Sequence, residues 1–230
     1  MTFIGQMMVM GENRECALIT GASSGIGLEI AKVLASRNYD LIICARREKE
    51  LQDLSIEIIN QYEVNCKVIV ADLTTEEGVD LLIKDSGVVD ILVNNAGFGI
   101  IGDHFDMQLG RQLEMIELNI HALTRLSHVF GNLMVKKGKG RIMNVASIAS
   151  YISGPSFAVY CATKAYVLSY SRALHKELKN KAVTVTSLCP GYVTTGFQEV
   201  AGMELSKMEK LTAVPVKKVA EIAVKSMHKG

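Results

Sequence analysis

Short apolar, β-branched runs alternate along the chain with longer stretches in which apolar residues recur every three or four positions. The first pattern predicts strands and the second amphipathic helices. Strands are expected at 16–20, 41–45, 67–71, 90–94, 140–146 and 183–188. Helices are expected at 26–37, 47–60, 76–84, 111–136, 157–179 and 216–228. The strands are continuous apolar runs, as parallel strands buried on both faces are. Such alternation implies right-handed βαβ units, and so an α/β, three-layer, doubly wound parallel sheet. No linker, repeat or low-complexity segment interrupts it, so 14–230 is expected to be a single domain behind a loose extension at 1–13.

Composition narrows the function classes. An apolar fraction of 49% over 230 residues provides for a substantial core and excludes a disordered chain. A net charge of +1 gives no reason to expect a nucleic-acid or anionic-membrane partner. No apolar run approaches the roughly 18–20 residues that span a bilayer. Five cysteines, an odd number without paired metal spacing, fit a reduced cytoplasm. Cys16, Cys44 and Cys189 read as small hydrophobes in strands, and Cys161 as a packed or partly exposed thiol. The histidines, including His121 and His128 seven apart, form no recognisable metal set.

The most informative segment is Thr20-Gly21-Ala22-Ser23-Ser24-Gly25-Ile26-Gly27, between the first strand and the first helix. A strand, glycine turn and helix bring backbone N–H groups and a helix N-terminus up to an anion, and a pyrophosphate fits there. The same pattern also serves as an ordinary strand-to-helix turn. Glycines at 21, 25 and 27 make G-x3-G-x-G rather than the commoner G-x-G-x-x-G. In an open parallel sheet, ligands bind beyond the C-terminal strand ends. The glycine loop follows strand 1, Arg46 strand 2, Asp72 strand 3, Asn95 strand 4, Ser147 strand 5 and Pro190 strand 6. That coincidence points to one shared site. Tyr160 and Lys164, four apart, share a helix face. A neighbouring ammonium lowers a phenol from its ordinary value near about 10, and a shift of about three units corresponds to roughly 4 kcal/mol. The pair is a candidate general acid/base.

These segments, with Asn94-Asn95-Ala96-Gly97, Asn119, Tyr160-x3-Lys164 and Pro190-Gly191 in order, resemble the short-chain dehydrogenase/reductase family. The resemblance covers about residues 14–196 and is to the compact single-domain branch, nearest a bacterial group of broad-substrate reductases. It implies a Rossmann-like sheet with strand order 3-2-1-4-5-6, the family's usual seventh strand being absent. It implies a catalytic set of Asn119, Ser147, Tyr160 and Lys164. Tyr160 would exchange a proton with the substrate oxygen, Ser147 would hold that oxygen, and Lys164 would bind ribose hydroxyls and tune Tyr160. Asn119, a poor helix former within a predicted helix, would support a proton relay. Ser147 also suits a helix or turn cap, and Asn119 a solvent-facing position.

By the same resemblance, the cofactor would be held by Gly21, Ser23, Ser24, Gly25, Ile26 and Gly27, and by Arg46 and Arg47. Asp72 and Leu73 would meet the adenine, and Asn95, Ala96 and Gly97 the ribose. Tyr160, Lys164, Pro190, Gly191, Val193 and Thr195 would surround the nicotinamide. Asp72 equally suits the cap region of the next helix, and Asn94–Gly97 a purely structural role in the sheet. At Cys44-Ala45-Arg46-Arg47 no carboxylate follows strand 2 and two guanidiniums do, which favours NADP(H) over NAD(H), with Arg46 the main contact. The family's other NADP signal, a basic residue before the second loop glycine, is replaced by Ser24. Residues 196–215 resemble a substrate lid. Phe197, Met203, Leu205 and Met208 there either face an apolar substrate or form a short packed helix. Phe98, Ile100, Ile148 and Tyr151 would complete an apolar pocket for a carbonyl or alcohol. A homodimer through 111–136 and 157–179 is the family expectation. The rival reading is an NADP(H)-binding regulator without turnover; epimerase or dehydratase chemistry fits the loop spacing less well.

Overall fold

The protein is seen in a computed structural model that describes residues 14–197, 201–202 and 211–229. The strands β1 (Cys16–Thr20), β2 (Asp40–Ala45), β3 (Cys66–Val70), β4 (Ile91–Asn94), β5 (Gly140–Val145) and β6 (Val183–Leu188) form one sheet. All neighbours are parallel, in the order β3-β2-β1-β4-β5-β6. β1 is central: Ala17 pairs with Leu41 on one side and Ile91 on the other. All five of its residues are buried, which is why it reads as an unbroken apolar run.

Alternate strand residues feed opposite layers. Ala17 and Ile19 of β1 pack against α1 (Gly25–Ala35), α2 (Glu48–Tyr62) and α7 (Val216–Lys229), through Ile30, Leu34, Leu51, Ile58 and Val224. Leu18 points the other way, toward α3 (Glu76–Ser86) and α5 (Leu123–Lys137), meeting Leu82, Leu126 and Phe130. α6 (Ala158–Leu178) joins this second layer through Leu174 and Leu178. Element ends follow their local chemistry. Thr75 caps α3 by accepting the Gly78 amide at 3.1 Å, and Gly138 ends α5 with φ +72°.

Two features differ from the sequence expectation. The helix expected at 111–136 is α4 (Leu109–Ile116), a π-helical segment at Glu117–Ala122, and then α5. Asn119 sits inside the π-helical segment, and its side chain bonds to the backbone of Phe98. Cys189 lies just beyond β6 instead of within it. The remaining helix and strand boundaries shift by at most two residues. Val193 and Val214 form an isolated parallel bridge, with the Val214 amide donating to Tyr192 O at 2.9 Å. This bridge joins the two ends of the segment expected to be a lid. Met203, Leu205 and Met208 lie outside the described residues, as does 1–13.

Several polar groups inside the second layer are linked, although Asn94 Oδ1 is buried without a partner. Asn94 Nδ2 donates to Ser127 Oγ and to Asn144 Oδ1, each at 2.9 Å. Asn144 Nδ2 donates to Ser171 Oγ at 2.9 Å, and that hydroxyl donates to Val167 O. β4, β5, α5 and α6 are thereby held in one register. Asn144→Ala deprives two buried groups of a partner and is expected to cost about 2 kcal/mol. Urea unfolding monitored by circular dichroism measures it directly; an unchanged midpoint would show that the network contributes nothing to stability.

Candidate active site

The sheet's C-terminal edge is organised around Thr20, the last residue of β1. Its hydroxyl donates to Val93 O at 3.3 Å and accepts the Asn95 and Ala96 amides, each at 3.0 Å. Asn95 Nδ2 returns to Thr20 O at 2.9 Å and Gly21 O at 3.1 Å. Space here is minimal. A Cβ on Gly27 would fall 2.4 Å from Asn95 Nδ2, and Gly21 has a φ of +67° as well as Ala96 within 3.0 Å of any Cβ. Asn95 is thus a structural clamp on the glycine loop. The loop delivers the N-terminus of α1, which has no acidic residue in its first turn and no side-chain cap from Ser24. That leaves the helix end suited to an anion.

The two loop serines engage a cation instead. Arg47 donates to Ser23 Oγ at 3.2 and 2.9 Å and to Ser24 Oγ at 2.6 Å. Arg46 turns toward Asp72, with Nη1 at 3.7 Å from Oδ2. Burial pushes the Asp72 carboxyl up, but hydrogen bonds from the Thr74 amide and hydroxyl and the Arg46 charge outweigh it and hold it below its ordinary value. Asp72 does not cap α3; Thr75 does, and Thr75 Oγ1 donates to Asp72 O at 3.0 Å. So Arg47, not Arg46, rests on the glycine loop. The sequence shows only that both cations are present.

Ser147, Tyr160 and Lys164 converge beyond β5. Ser147 Oγ accepts the Ala149 amide at 3.1 Å and so caps a 3₁₀ turn, Ile148–Tyr151, which the strand-and-helix pattern did not reveal. Tyr160 and Lys164 share the first turns of α6, with Lys164 Nζ 5.8 Å from the Tyr160 ring centroid. Lys164 Nζ donates to Val145 O at 2.8 Å, one of three donors an ammonium carries. Burial pushes the Tyr160 phenol up to about 12; the Ser147 hydrogen bond lowers it and Cys161 raises it further. Burial pushes Lys164 down to about 8, with Cys189 opposing. The expectation that the ammonium would bring the phenol below its ordinary value is therefore corrected: desolvation wins for both groups.

Asn119 is buried and fully engaged. Its Oδ1 accepts the Phe98 amide at 3.1 Å, and its Nδ2 donates to Phe98 O at 2.9 Å and Thr163 Oγ1 at 3.1 Å. Its amide aligns the exit of β4 with α6 and is not solvent-facing. Gly97 lies between the two, since a Cβ there would come 2.8 Å from Asn119 Oδ1 and 3.4 Å from Lys164 Nζ.

A family model described as short chain dehydrogenase matches residues 15–210. The chain belongs to the short-chain dehydrogenase/reductase family. Members of this family are oxidoreductases acting on CH–OH or C=O groups, and so is this enzyme. An uncharacterised oxidoreductase of Staphylococcus epidermidis is 34% identical over 201 residues, covering 86% of this chain and 85% of its own. A short-chain dehydrogenase from Sphingobium yanoikuyae in complex with NADPH has a TM-score of 0.87 at 30% identity, over 94% of this chain and 85% of that one. Human inactive hydroxysteroid dehydrogenase-like protein 1 is 35% identical over 184 residues, covering 78% of this chain and 56% of its own.

Apolar side chains pack around the tyrosine. Phe98, Met115, Ala149, Tyr160 and Cys161 form a small cluster with Ile100, Phe157 and Phe197 against it. Ile148 and Tyr151 stand exposed at the rim, Tyr151 accepting a hydrogen bond from Arg172 at 3.2 Å. Pro190 O accepts the Ile148 amide at 3.0 Å, and Gly191 packs loosely on Ile148. Val193 is buried at its bridge to Val214, and the Thr195 side chain lies 3.4 Å from where a Gly25 Cβ would stand. These contacts bring the segment after β6 back to the glycine loop. Sequence reasoning named Thr20 in the glycine segment without giving it a role, and missed Phe157. Thr20 is legible as the last polar residue before the loop, and Phe157 by its spacing of three from Tyr160. A separate groove of about 910 Å³ between α1, α2 and α7 is lined by Lys32, Glu57, Lys217 and Glu221 and holds none of these residues.

Burying Lys164 carries a cost with a definite pH signature. The folded value of about 8 lies below the ordinary 10.5, so the unfolded chain binds the proton more tightly. The penalty is full below pH 8 and is relieved as pH rises from 8 to 10.5. It amounts to about 3 kcal/mol, offset by about 1 kcal/mol for the bond to Val145 O. Lys164→Met is expected to stabilise the fold by about 2 kcal/mol at neutral pH and to abolish the rise with alkaline pH. Chemical denaturation across that range tests this. Equal stability of the two proteins at pH 7 would refute the penalty.

Proposed function

We propose that the enzyme transfers a hydride and a proton between NADP(H) and a small apolar carbonyl–alcohol pair. The convergence of Tyr160, Ser147 and Lys164 beside an apolar cluster carries this reading. The residues present suit the cofactor: a tightly packed glycine loop, a helix N-terminus free of carboxylates, and two guanidiniums at the end of β2. When bound, the nicotinamide supplies a hydride to the carbonyl carbon or accepts one from the carbinol carbon.

The chain's own residues handle the oxygen. In reduction Tyr160 gives its phenolic proton to that oxygen, and in oxidation the phenolate takes it back. Ser147 donates a hydrogen bond as negative charge develops there. Lys164 stabilises the phenolate that remains and offers donors to the ribose hydroxyls. The buried phenol is protonated at neutral pH, as a proton donor must be, although its raised value makes it a weaker acid than an ordinary phenol. Asn119 acts by positioning Phe98 and Thr163 around this group.

Preference for NADP(H) rests on Arg46 and Arg47. Arg47 lies over Ser24, the position at which the family's NADP signal would place a basic residue. Asp72 and Leu73 would meet the adenine, and Val193 and Thr195 the carboxamide. All five cysteines are free, consistent with a reducing compartment such as the cytoplasm. No described helix is long and apolar enough to cross a membrane. The second reading, binding without turnover, has one observation behind it: a relative of comparable identity is named inactive. The presence of Ser147, Tyr160 and Lys164 together weighs against it.

NADPH oxidation over a panel of apolar aldehydes, ketones and diketones is expected to exceed NADH oxidation and to fall at least about a hundredfold in Tyr160→Phe. Tight NADPH binding with no turnover would favour the second reading. Arg47→Ala and Arg46→Ala are each expected to weaken NADPH binding about tenfold with little effect on NADH. Equal losses for both cofactors would remove the phosphate assignment. A dimer would bury the faces that carry Leu133 and the stacked Tyr166 and Tyr170, whose ring centroids are 5.6 Å apart. Light scattering at micromolar concentration should then give twice the chain mass, and a single mass would end that idea.

A further inference from the structure

Four described residues other than glycine have a positive φ. Asn38, Glu63 and Ala182 lie in the turns that leave α1, α2 and α6, where a left-handed residue commonly ends a helix. Ser156, with φ +56°, instead leads into α6, shortly before Tyr160. Its turn is closed by the Phe157 amide, which donates to Gly154 O at 3.1 Å. Pro155 in the second place and a left-handed third place mark a type II turn, which ordinarily takes Gly or Asn where Ser156 stands. A residue in so disfavoured a conformation is held there by its surroundings.

Two hydrogen bonds with the β4 exit do this. The Gly102 amide donates to Ser156 O at 2.8 Å, and Ser156 Oγ donates to Asp103 Oδ1 at 2.6 Å, a short bond to a carboxylate. Asp103 is itself fixed. Its carbonyl accepts the Asp106 and Met107 amides at 3.0 and 3.1 Å, and Gln112 Nε2 on α4 donates to His104 O at 2.9 Å and Met107 O at 3.3 Å. The consequence falls on the next residue along. Phe157 stacks on Tyr160 with ring centroids 4.3 Å apart and planes at 24°. Both rings lie against the backbone of Gly99: a Cβ there would stand 2.8 Å from Tyr160 Cδ2 and 3.0 Å from Phe157 Cε2 and Cζ. The Tyr160 ring is therefore wedged between that backbone and Phe157, and Phe157 is placed by the turn.

We infer that Asp103 and Ser156 are positioning residues for Tyr160: their bond keeps Ser156 left-handed, the turn so held seats Phe157 on the phenol ring, and the seated ring fixes where the hydroxyl points. This rests on the reading of Tyr160 as the acid/base group. Proton transfer needs the phenolic oxygen within hydrogen-bond reach of the substrate oxygen. A small misplacement of the reacting group lowers the rate steeply even when its origin is remote. Thr163 Oγ1 holds the Tyr160 backbone through its carbonyl at 2.8 Å and leaves the ring to its neighbours. The bond between Ser156 and Asp103 supplies what the backbone tether does not, a fixed seat for the aromatic partner of that ring.

Asp103 is exposed, so replacing it spares the core. Asp103→Ala is expected to lower kcat for carbonyl reduction about tenfold while KM and NADPH affinity stay within about twofold. Asp103→Asn keeps an accepting oxygen and should retain at least about half of kcat. Ser156→Gly takes a positive φ freely but lacks the hydroxyl, so its melting temperature should not fall while its kcat falls as in Asp103→Ala. A merely structural bond would move stability and rate together. The double variant should lose no more than either single one, since both remove the same bond. A readout without turnover comes from ring-labelled ¹³C-tyrosine, with the Tyr160 signal identified by Tyr160→Phe. Losing the stacked ring in Phe157→Leu gives the unseated position of that signal; Asp103→Ala should move toward it and Asp103→Asn should not. Should Asp103→Ala fail to fold, Ser156→Gly answers in its place. Full kcat in the variant overturns the positioning role, and so does an unmoved Tyr160 signal. A signal that follows Asp103 in a protein reducing no carbonyl keeps the hold on the ring and removes the acid/base reading. Turnover lost in Tyr160→Phe but full in Asp103→Ala does the reverse.

Discussion

The knot between Thr20 and Asn95 is the constraint on which the site depends. From β1 the chain winds outward through β2 to β3, while β4, β5 and β6 extend the sheet the other way. The reversal between β1 and β4 opens a crevice above their C-terminal ends, where an open α/β sheet binds its ligand. The crevice would also leave strand-end amides without partners. One threonine hydroxyl and one carboxamide satisfy five backbone groups there: Val93 O, Thr20 O, Gly21 O and the amides of Asn95 and Ala96. The same bonds fix the glycine loop relative to Gly97, and so relative to Asn119 and Lys164. Cofactor loop and acid/base pair are therefore parts of one rigid arrangement at the switch point.

A second layer of constraint is helical. The π-helical segment at Glu117–Ala122 is a local cost accepted by a helix that could otherwise run straight from Leu109 to Lys137. Its return is the placement of Asn119 against Phe98 and Thr163, which ties the β4 exit to α6 one turn from Tyr160 and Lys164. Thr163 Oγ1 in turn donates to Tyr160 O at 2.8 Å. The backbone of the tyrosine is held from the same side as the loop that packs on its ring.

Much of this was legible in the sequence because strand ends are legible. Each of Gly21, Arg46, Asp72, Asn95, Ser147 and Pro190 follows an unmistakable apolar run, and an open parallel sheet gathers such positions at one edge. Side-chain reach was not legible. Arg46 and Arg47 are adjacent, and only the fold decides that Arg47 turns onto Ser23 and Ser24 while Arg46 leans to Asp72. Nor does periodicity reveal a π-helical segment of six residues, which is too short to show a period of its own. Asn119 was the one visible sign, as a residue of poor helical propensity in mid-helix. The direction of the shift at Tyr160 was misread for a related reason: residue spacing reports a neighbouring charge but says nothing of how much water remains.

That water decides the chemistry of the pair. Lys164 Nζ stands 5.8 Å from the Tyr160 ring centroid, yet burial and not the neighbouring charge is the foremost influence on each group. An exposed pair would keep ordinary values and interact too weakly to matter. Burial penalises both charged forms by the same exclusion of water, which is why the phenol stands near 12 and the ammonium near 8. Proximity of opposite charge is therefore not enough to set either value: the rings of Phe157 and Phe197 that pack on the phenol also strip its water.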